Sequence, residues 1–306
     1  MKENTKFKSG YVALLGKPNV GKSTLLNYFL KEKLSIVSEK PQTTRDAILG
    51  IFTQSDYQII FVDTPGMHKP RTQLGQHMMH CAISAGVDAD IVIFIIDALS
   101  GITAADRHIF EMIKSKKVLK GCCWSAVLIN KIDTIKKEDI LPIMKCCTGF
   151  PGFDEYIPVS AQTGANCEQV LDKIIKTLPY GPAYYPKEQL TDKNERFVVG
   201  ELMREAVLKL CREEVPHSVA VEVENFTDNP GRKTLIQATV FLERQSQKKI
   251  VIGKNGIMLK TIGTAARREI EEFLGRPVYL ELRVKIHDNW RKDAVFLRRL
   301  GYDKSL

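Results

Sequence analysis

Short apolar runs alternate with amphipathic segments from Tyr11 to about Pro179. The apolar runs predict buried strands, and they read YVALL, AILGIF, YQIIFVD, DIVIFIIDA, WSAVLIN and YIPVS. The amphipathic segments predict helices over residues 22–31, 73–86, 104–116, 138–146 and 166–178. Strands that are apolar almost throughout need cover on both faces, and strands that alternate with helices form parallel sheets. The pattern therefore predicts an α/β domain, a mostly parallel sheet with helices on both faces.

A segment without periodicity follows, GPAYYPKEQLTD at residues 181–192, and it contains two prolines. Such a composition is typical of a connection rather than of a helix or strand. We interpret it as a linker between a domain at residues 1–180 and a second domain at residues 193–306.

The C-terminal pattern differs because half-exposed strands replace the fully apolar ones. VAVEVENF and KTLIQATVFLER alternate between apolar and polar residues, as strands with one exposed face do. Helices are predicted over residues 195–214, about 256–273 and around 294–300, and VYLELRVKI predicts a further strand. We therefore expect a small α+β domain here.

The composition is that of an ordinary globular protein, since 44% of the 306 residues are hydrophobic and 26% are charged. A chain of this size can bury two cores. No apolar run approaches the roughly 20 residues of a membrane span, and the N-terminus MKENTKFKSGYV lacks the apolar stretch of a signal peptide. We expect a soluble intracellular protein, with peripheral membrane contact left open. The net charge of +9, somewhat denser toward the C-terminus, permits a polyanionic partner without proving one.

The seven cysteines include no CxxC pair, and their number is odd. The missing CxxC pair argues against a zinc-finger site, and the odd number argues against a disulfide framework. We therefore interpret the cysteines as reduced thiols, mostly in or near the cores. His77, His80 and Cys81 lie close together on a predicted helix and suggest a metal site. Three ligands without a fourth are a weak signal, and we prefer the interpretation of an ordinary surface helix.

The first glycine-rich loop, Gly16 to Ser23, fits the pattern GxxxxGK followed by Ser or Thr. It follows the strand YVALL and opens a helix, which is the context in which this loop cradles phosphates. Its glycines let backbone N–H groups turn inward, and the helix N-terminus adds the positive end of its dipole. Lys22 would reach the β- and γ-phosphates, and Ser23 would supply an oxygen to Mg²⁺. The nucleotide-binding residues predicted here are Gly16, Asn19, Val20, Gly21, Lys22, Ser23 and Thr24.

Two further segments supply candidate metal ligands and moving parts. Asp63 ends YQIIFVD and begins DTPG, where its carboxylate could hold Mg²⁺ through water and Gly66 could offer its N–H to the γ-phosphate. QTTR, before AILGIF, offers a threonine hydroxyl to Mg²⁺, and we favour Thr44 over Thr43. Residues 35–46 would then form a nucleotide-dependent switch. The predicted metal ligands are Ser23, Thr44 and Asp63.

The sequence NKID follows the strand WSAVLIN and predicts recognition of a base. Asp133 can accept two hydrogen bonds, from guanine N1–H and from its exocyclic amine, whereas adenine offers neither donor there. Asn130 would brace the loop, and the stem of Lys131 would cover the base. In Ser160-Ala161, after YIPV, the Ala161 N–H could reach guanine O6. In this order and spacing the motifs make GTP the expected ligand.

A second glycine pair lies in VIGKNGIMLK, residues 251–260. Another nucleotide cradle is not expected, because the segment lacks the GKS signature and does not follow the parallel-sheet pattern. It fits a GxxG loop between two helices, which lets backbone approach the phosphates of a single strand in a groove for about four nucleotides. The predicted RNA-binding residues are Ile252, Gly253, Lys254, Asn255, Gly256 and Lys260.

Several side chains near this loop allow two interpretations. Either the groove or the core would suit Ile252, Ile257 and Ile262, with the core the safer interpretation for any one of them. Contact with RNA phosphates and a place on a solvated face are equally good interpretations for five basic residues, Lys248, Lys249, Lys260, Arg267 and Arg268.

Taken together, GKPNVGKST, QTTR, DTPG, NKID and SA resemble the nucleotide motifs of the Era family of GTPases, and VIGKNG resembles that family's C-terminal KH domain. The resemblance covers nearly the whole chain. Each GTPase motif is shared with many relatives, whereas their combination with one C-terminal KH-like domain is specific. The resemblance implies a P-loop GTPase domain followed by a type II KH domain, with GTP or GDP and Mg²⁺ as ligands.

The same resemblance implies partners and a place in the cell. It implies binding to small-subunit ribosomal RNA near its 3′ end, contact with the pre-ribosomal small subunit and a role in small ribosomal subunit assembly. It also implies a cytoplasmic protein that is partly peripheral on the inner face of the membrane. We expect a monomer.

Two positions shape the expected hydrolysis. Ras-like enzymes carry a glutamine just after the glycine of DxxG, and here that position is Met67, so we expect a slow intrinsic rate. The adjacent His68 is not expected to act as the base. Asn19 resembles the asparagine that coordinates K⁺ in potassium-activated relatives, which gives the hypothesis of a K⁺ ion at the phosphates. The expected catalytic residues are Lys22, Thr44, Gly66 and Asn19.

Alternative functions remain open at this point. One is an RNA-binding module with an inactive nucleotide fold, against which the intact nucleotide motifs argue. Another is a GTPase of a different RNA-processing, tRNA-modification or large-subunit pathway, although such relatives usually have other appended domains.

Overall fold

The computed structural model describes residues 7–38, 40, 43–211, 215–228, 231 and 233–302, with only the backbone for His217. The chain splits into two compact units. The first unit comprises Met1–Ser35, Thr44–Arg71 and Gly75–Asp192, and the second comprises Ile36–Thr43, Thr72–Leu74 and Lys193–Leu306. No helix among the described residues is both long enough and apolar enough to cross a membrane.

The first unit contains a six-stranded sheet. Its strands are β1 (Lys8–Leu15), β2 (Ile48–Thr53), β3 (Tyr57–Asp63), β4 (Ile91–Asp97), β5 (Trp124–Asn130) and β6 (Glu155–Pro158). They lie in the order β2-β3-β1-β4-β5-β6, and every neighbouring pair is parallel except β2 and β3. Strand β5 is buried at every position, as a central strand with both faces covered should be. The predicted mostly parallel sheet is confirmed.

The helices of the first unit lie within one residue of their predicted limits at each end. They are α1 (Lys22–Leu30), α2 (Gln73–Val87), α3 (Ala104–Ser115), α4 (Lys137–Cys147) and α5 (Cys167–Thr177). Helix α3 begins at a capping box, in which Thr103 and Asp106 each satisfy a backbone N–H of the other. In this arrangement the phosphate-loop motif lies between β1 and α1, and DTPG follows β3.

The predicted linker, residues 181–192, is part of the first unit. The Gln58 side-chain oxygen accepts hydrogen bonds from the N–H groups of Tyr184, at 2.8 Å, and Tyr185, at 3.0 Å. The carbonyl of Leu190 accepts the N–H of Ile51 at 2.8 Å. These bonds satisfy backbone groups of the segment, so it runs along β2 and β3 as an ordered strap.

The second unit is an α+β domain, as predicted. Its elements are α6 (Glu195–Leu210), α7 (Val215–Ser218), β7 (Ala220–Thr227), β8 (Thr234–Leu242), α8 (Gln245–Ile252), α9 (Ile257–Leu274), β9 (Val278–Ile286) and α10 (Ala294–Arg299). In the three-stranded sheet β8 is central, antiparallel to β7 and parallel to β9. Helices α6 and α9 contact each other, and they contact β7 and β9 respectively. Helix α6 ends at Leu210, earlier than predicted, because Cys211 is extended; residues 212–214 lie outside the described part.

The second unit also includes residues 36–43, part of the predicted switch. The Val37 N–H donates to the Glu205 carboxylate at 3.1 Å, and the buried Arg204 guanidinium donates to the carbonyl of Thr43. Arg204 also pairs with Glu201 one turn earlier on α6. These residues of the switch are therefore hydrogen-bonded to α6 in this conformation.

The two tryptophans of the sequence fall in different units. Trp124 begins β5 and is 4% exposed. Trp290 is fully buried, and its indole N–H donates to the carbonyl of Ser218 at 2.7 Å. Each ring therefore lies in the interior of its own unit.

Candidate nucleotide and nucleic-acid sites

The loop between β1 and α1 packs so closely against β4 and β5 that two of its positions require glycine. Gly21 has φ +99°, and a Cβ there would lie 2.2 Å from the side-chain nitrogen of Asn130. Gly16 has φ +150°, and its Cβ would lie 2.4 Å from the carbonyl oxygen of Ile95. Any larger residue would push the loop away from β4 and β5, so both glycines are required by close approach as well as by conformation.

Lys22 opens α1 and lies beneath this loop. Its ammonium donates to the carbonyl of Gly16 at 3.2 Å and to that of Lys17 at 3.0 Å. Burial lowers the pKa of Lys22 to about 8, partly opposed by the negative charge of Asp63. Burial deprives the ammonium of solvation, and the negative charge of a bound phosphate would stabilise its protonated form.

The three side chains predicted as metal ligands meet beside Lys22, and they are Ser23 on α1, Thr44 and Asp63. The Ser23 hydroxyl lies 2.7 Å from Asp63 Oδ2, the Thr44 hydroxyl lies 3.3 Å from the same oxygen, and the two hydroxyls are 3.0 Å apart. Thr43 points elsewhere and donates to the carbonyl of Lys40 at 2.6 Å, which supports Thr44 over Thr43.

The Asp63 carboxylate has room for a further partner. Its second oxygen, Oδ1, is buried and has no hydrogen bond among the described residues. Burial raises the pKa of Asp63, against the influence of Lys22 and of the neighbouring hydroxyls. A hard cation such as Mg²⁺ prefers carboxylate and hydroxyl oxygens, so this group of ligands fits it.

The DTPG segment lies directly against the phosphate loop. A Cβ at Gly66 would lie 2.7 Å from Pro18 Cα, so only glycine fits this approach. The next residue, Met67, donates its N–H to the carbonyl of Gly16 at 3.0 Å, and its side chain is buried in the core. Met67 therefore offers no side-chain group to orient water.

Asn130 connects the phosphate loop to the segment after β6. Its side-chain amide donates to the carbonyl of Val20 at 2.7 Å, and its oxygen accepts the Ala161 N–H at 2.9 Å. The Ala161 N–H, which the sequence predicts to approach guanine O6, thus donates to Asn130 in this structure. The Ser160 hydroxyl donates to the carboxylate of Asp133, and Asp133 is an exposed residue.

Sequence reasoning missed two supports of these loops. Lys131 is paired with Asp97 at the end of β4, with 2.7 Å between ammonium and carboxylate. Lys17 is paired with Asp106 of the α3 capping box at 3.0 Å. The only signal for Asp97 was its place at the carboxyl end of a strand beside β5, and nothing local marked Asp106.

The GxxG loop joins α8 to α9 through left-handed backbone. Gly253, Asn255 and Gly256 have φ values of +70°, +52° and +77°. A Cβ at Gly253 would lie 2.7 Å from Met258 Cβ, whereas one at Gly256 would meet nothing within 4 Å. The open side at Gly256 leaves room for a ligand to approach the backbone.

A groove of about 450 Å³ begins at this loop and continues between α9 and β9. Two basic residues, Lys260 and Arg267, line it together with Leu280 and Leu282 of β9. The other lining residues are Gly256, Leu259, Gly263 and Thr264. Sequence reasoning missed the leucines of β9, because only the fold brings that strand beside α9.

A second depression, with a volume of about 340 Å³, is lined by residues of α8 and the start of the loop. Its lining residues are Gln245, Lys248, Lys249, Ile252, Gly253 and Lys254. Of the three isoleucines considered above, Ile262 is buried and Ile252 is half-buried at the depression. Ile257 is 64% exposed, so the core interpretation is wrong for this residue, which lies at the exposed start of α9.

The fold and the two sites define a P-loop GTPase with a C-terminal KH domain. The family model described as 50S ribosome-binding GTPase matches residues 11–131, and the model described as KH domain matches residues 214–291. The chain is 46% identical over 302 residues to GTPase Era of Lactobacillus helveticus (strain DPC 4571), covering 99% of this chain and 98% of that protein. The chain therefore belongs to the Era family of GTPases, which confirms the resemblance.

Two solved structures of Era are similar to this chain throughout. One is Era in complex with MgGDPNP and nucleotides 1506–1542 of 16S ribosomal RNA, with a TM-score of 0.91, 40% identity, and coverage of 97% of this chain and 99% of that one. The other is a variant of Era from Aquifex aeolicus bound to GDP and aluminium fluoride, with the same score, identity and coverage.

Proposed function

We propose that this chain is a GTP-hydrolysing switch that binds small-subunit ribosomal RNA near its 3′ end and acts in small ribosomal subunit assembly. The observation that supports the nucleotide half best is the convergence of Ser23, Thr44 and Asp63 beside the buried Lys22. The Era complex with MgGDPNP and 16S ribosomal RNA supports the RNA half by similarity.

In the proposed site some residues would contact the phosphates and Mg²⁺, and others would contact the guanine base. The phosphates would lie against the loop backbone and Lys22, and Mg²⁺ would be held by Ser23, Thr44 and Asp63. When bound, Mg²⁺ neutralises charge that develops on the phosphates. The proposed phosphate-side residues are Gly16, Asn19, Val20, Gly21, Lys22, Ser23, Thr24 and Gly66; the proposed base-side residues are Asn130, Lys131, Asp133, Ser160 and Ala161.

The proposed intrinsic rate of hydrolysis is slow. The buried Met67 has no polar side-chain group, so water must be positioned by backbone, by a bound cation or by a partner. Asn19 is exposed in the phosphate loop with φ +63°, and we propose that it helps hold K⁺ there. Equal single-turnover hydrolysis rates in K⁺ and Na⁺ buffers would exclude this role.

The proposed RNA site is the GxxG loop with the adjoining groove. Open backbone at Gly256, the exposed cations Lys254, Lys260 and Arg267, and the apolar walls Leu280 and Leu282 suit a single strand whose phosphates and bases both need contact. Ile252, Gly253 and Asn255 complete the proposed set.

In-cell crosslinking of the chain to RNA, followed by sequencing of the bound fragments, tests the RNA half. The control is the variant with Gly253→Asp and Gly256→Asp, which places two carboxylates where phosphates would lie. Reads concentrated at the 3′ end of small-subunit ribosomal RNA, and lost in the variant, are expected. Diffuse reads, or reads that the variant leaves unchanged, would contradict the proposed RNA substrate.

A Lys22→Ala variant separates the two halves of the proposal. It should lose GTP binding, measured with a fluorescent guanine nucleotide, and keep its affinity for the RNA fragment. Wild-type protein that neither binds nor hydrolyses GTP would favour the alternative of an RNA-binding module with an inactive nucleotide fold.

We further propose a cytoplasmic location with part of the protein peripheral on the inner membrane face. The net charge of +9 would favour anionic lipid headgroups. Flotation with vesicles that contain anionic lipid, compared with neutral vesicles, tests the membrane contact.

A further inference from the structure

Three side chains with metal-binding atoms meet in the first unit, outside the residues proposed for the nucleotide. Asp46 Oδ1, His77 Nε2 and Cys81 Sγ each lie within 4.8 Å of the other two. The sulfur is 3.4 Å from the imidazole nitrogen and 3.8 Å from the carboxylate oxygen, and nitrogen and oxygen are 3.7 Å apart. These contacts bring Asp46 beside two side chains that lie more than 30 residues later in the sequence.

Local structure explains how the three groups converge. His77 and Cys81 are four residues apart on α2 and therefore lie on one face of the helix. Asp46 belongs to the segment between Thr44 and β2, and its Oδ1 also accepts the N–H of Ala47 at 3.0 Å. His80, considered with His77 and Cys81 from the sequence, is exposed and is not part of this group.

The separations are close to those of a tetrahedral zinc site. Zinc binds thiolate sulfur at about 2.3 Å, imidazole nitrogen at about 2.0–2.1 Å and carboxylate oxygen at about 2.0–2.2 Å, so ligand atoms lie roughly 3.3–3.6 Å apart. The sulfur–nitrogen separation of 3.4 Å lies within this range. The other two, 3.7 and 3.8 Å, exceed it slightly, and small rotations of the side chains would remove the difference.

The chemistry of the three groups also suits this ion. A thiolate, an imidazole and a carboxylate are the ligand types that zinc prefers, and the two anions would balance its charge of two. Binding would displace the thiol proton of Cys81 and the ring proton of His77 into solvent. All three residues are half-buried, so an ion can enter from solvent and a water molecule can complete the coordination.

We propose that Asp46, His77 and Cys81 bind Zn²⁺ with an exchangeable water as the fourth ligand, and that the ion ties the segment after Thr44 to helix α2. The site itself is independent of the proposed function. Its consequence rests on that function, because Thr44 and the DTPG segment before α2 are the parts that would respond to the γ-phosphate. An ion joining the two segments would hinder their rearrangement and slow GTP hydrolysis.

Cobalt absorption tests the site without nucleotide. Co²⁺ added to the full chain should give a thiolate-to-cobalt charge-transfer band and intense tetrahedral visible bands, saturating at one ion per chain and displaced by Zn²⁺. Cys81→Ser and His77→Ala should each weaken Zn²⁺ binding by more than about 100-fold, beyond the ~10–100-fold effect of losing an outer partner. The matched controls Cys123→Ser and His80→Ala change exposed residues of the same types and should bind normally.

Spectra that Cys81→Ser leaves unchanged, or a wild-type protein without a thiolate band, would overturn the site and leave a hydrogen-bonded triad only. Circular dichroism of each variant guards against loss of fold.

Hydrolysis of GTP under excess Mg²⁺ tests the consequence. Saturating Zn²⁺ should slow wild-type turnover by roughly fivefold or more, and it should not affect Cys81→Ser. A bound ion that leaves wild-type turnover unchanged would overturn the tie between the segments. Absence of any GTP hydrolysis would count against the proposed function alone, since the cobalt spectra need no nucleotide.

Discussion

Asn130 satisfies backbone groups of two separate loops with one buried side chain. It donates to Val20 and accepts from Ala161, and it is 2% exposed. Asn130→Ala leaves the Ala161 N–H without its partner, so the free energy of unfolding of the first unit should fall by about 1–3 kcal/mol. Urea unfolding followed by circular dichroism measures this fall, and an unchanged unfolding curve would contradict the bracing role.

Lys22 should take up a proton when nucleotide binds. Burial lowers its pKa to about 8 in the free protein, and bound phosphates would raise that pKa again. At pH 8 binding of Mg²⁺ and GDP should therefore take up about half a proton, whereas at pH 6.5 the amine is already protonated and uptake should be near zero. Calorimetric titration in two buffers with different ionisation enthalpies measures it, and proton release at pH 8 would contradict the sign.

At the scale of elements, the segment after β3 depends on the absence of a side chain at Gly66. A methyl group there would lie 2.7 Å from Pro18 Cα, so Gly66→Ala should push DTPG off the phosphate loop and break the bond from Met67 to Gly16. GTP hydrolysis should fall by roughly tenfold or more while GDP still binds.

Single-turnover assays with radiolabelled GTP measure the effect of Gly66→Ala. Gly200→Ala is a suitable control, because Gly200 lies in the interior of helix α6, where alanine is favourable. A Cβ at Gly200 would make an ordinary 3.6 Å contact with Val223 of β7. Equal rates for both variants would show that the close approach at Gly66 is dispensable.

Elements followed from the sequence better than the contacts between them. Strands β3 and β5 begin and end where their apolar runs do. A short, continuous apolar run indicates a strand that is buried on both faces, so the run itself marks the ends of the strand. The phosphate loop and DTPG could be predicted from the sequence because the functional residues of each motif are adjacent along the chain. The sequence did not reveal that Asp46 contacts Cys81, that Leu280 lines the same groove as Lys260, or that Asn130 accepts the Ala161 N–H. Each of these depends on strands and helices that meet only in the folded chain.

At the scale of the whole molecule, the proposed RNA affinity should depend on salt through the second unit. A cation that neutralises a phosphate of a single strand contributes a slope of about −0.7 in log K against log salt concentration. Replacing both Lys260 and Arg267, which line the groove, by alanine should therefore make the slope shallower by roughly 1.4. Fluorescence anisotropy of a labelled RNA fragment across salt concentrations measures it.

Arg298→Ala is a control for this experiment, because Arg298 lies on α10 and is not among the groove residues. A slope that both variants change equally would indicate diffuse attraction rather than contacts in the groove.

The burial of one indole in each unit has a practical consequence for optical work. A Trp124→Phe variant leaves emission from Trp290 alone, and Trp290→Phe leaves emission from Trp124 alone. Both rings are shielded from water in the native protein, so each should shift its emission to the red when its surroundings open. The pair of variants therefore gives a separate fluorescence signal for each unit of the chain. If the two units unfold as one cooperative body, the two melting curves will coincide, and curves with different midpoints would show that the units unfold separately.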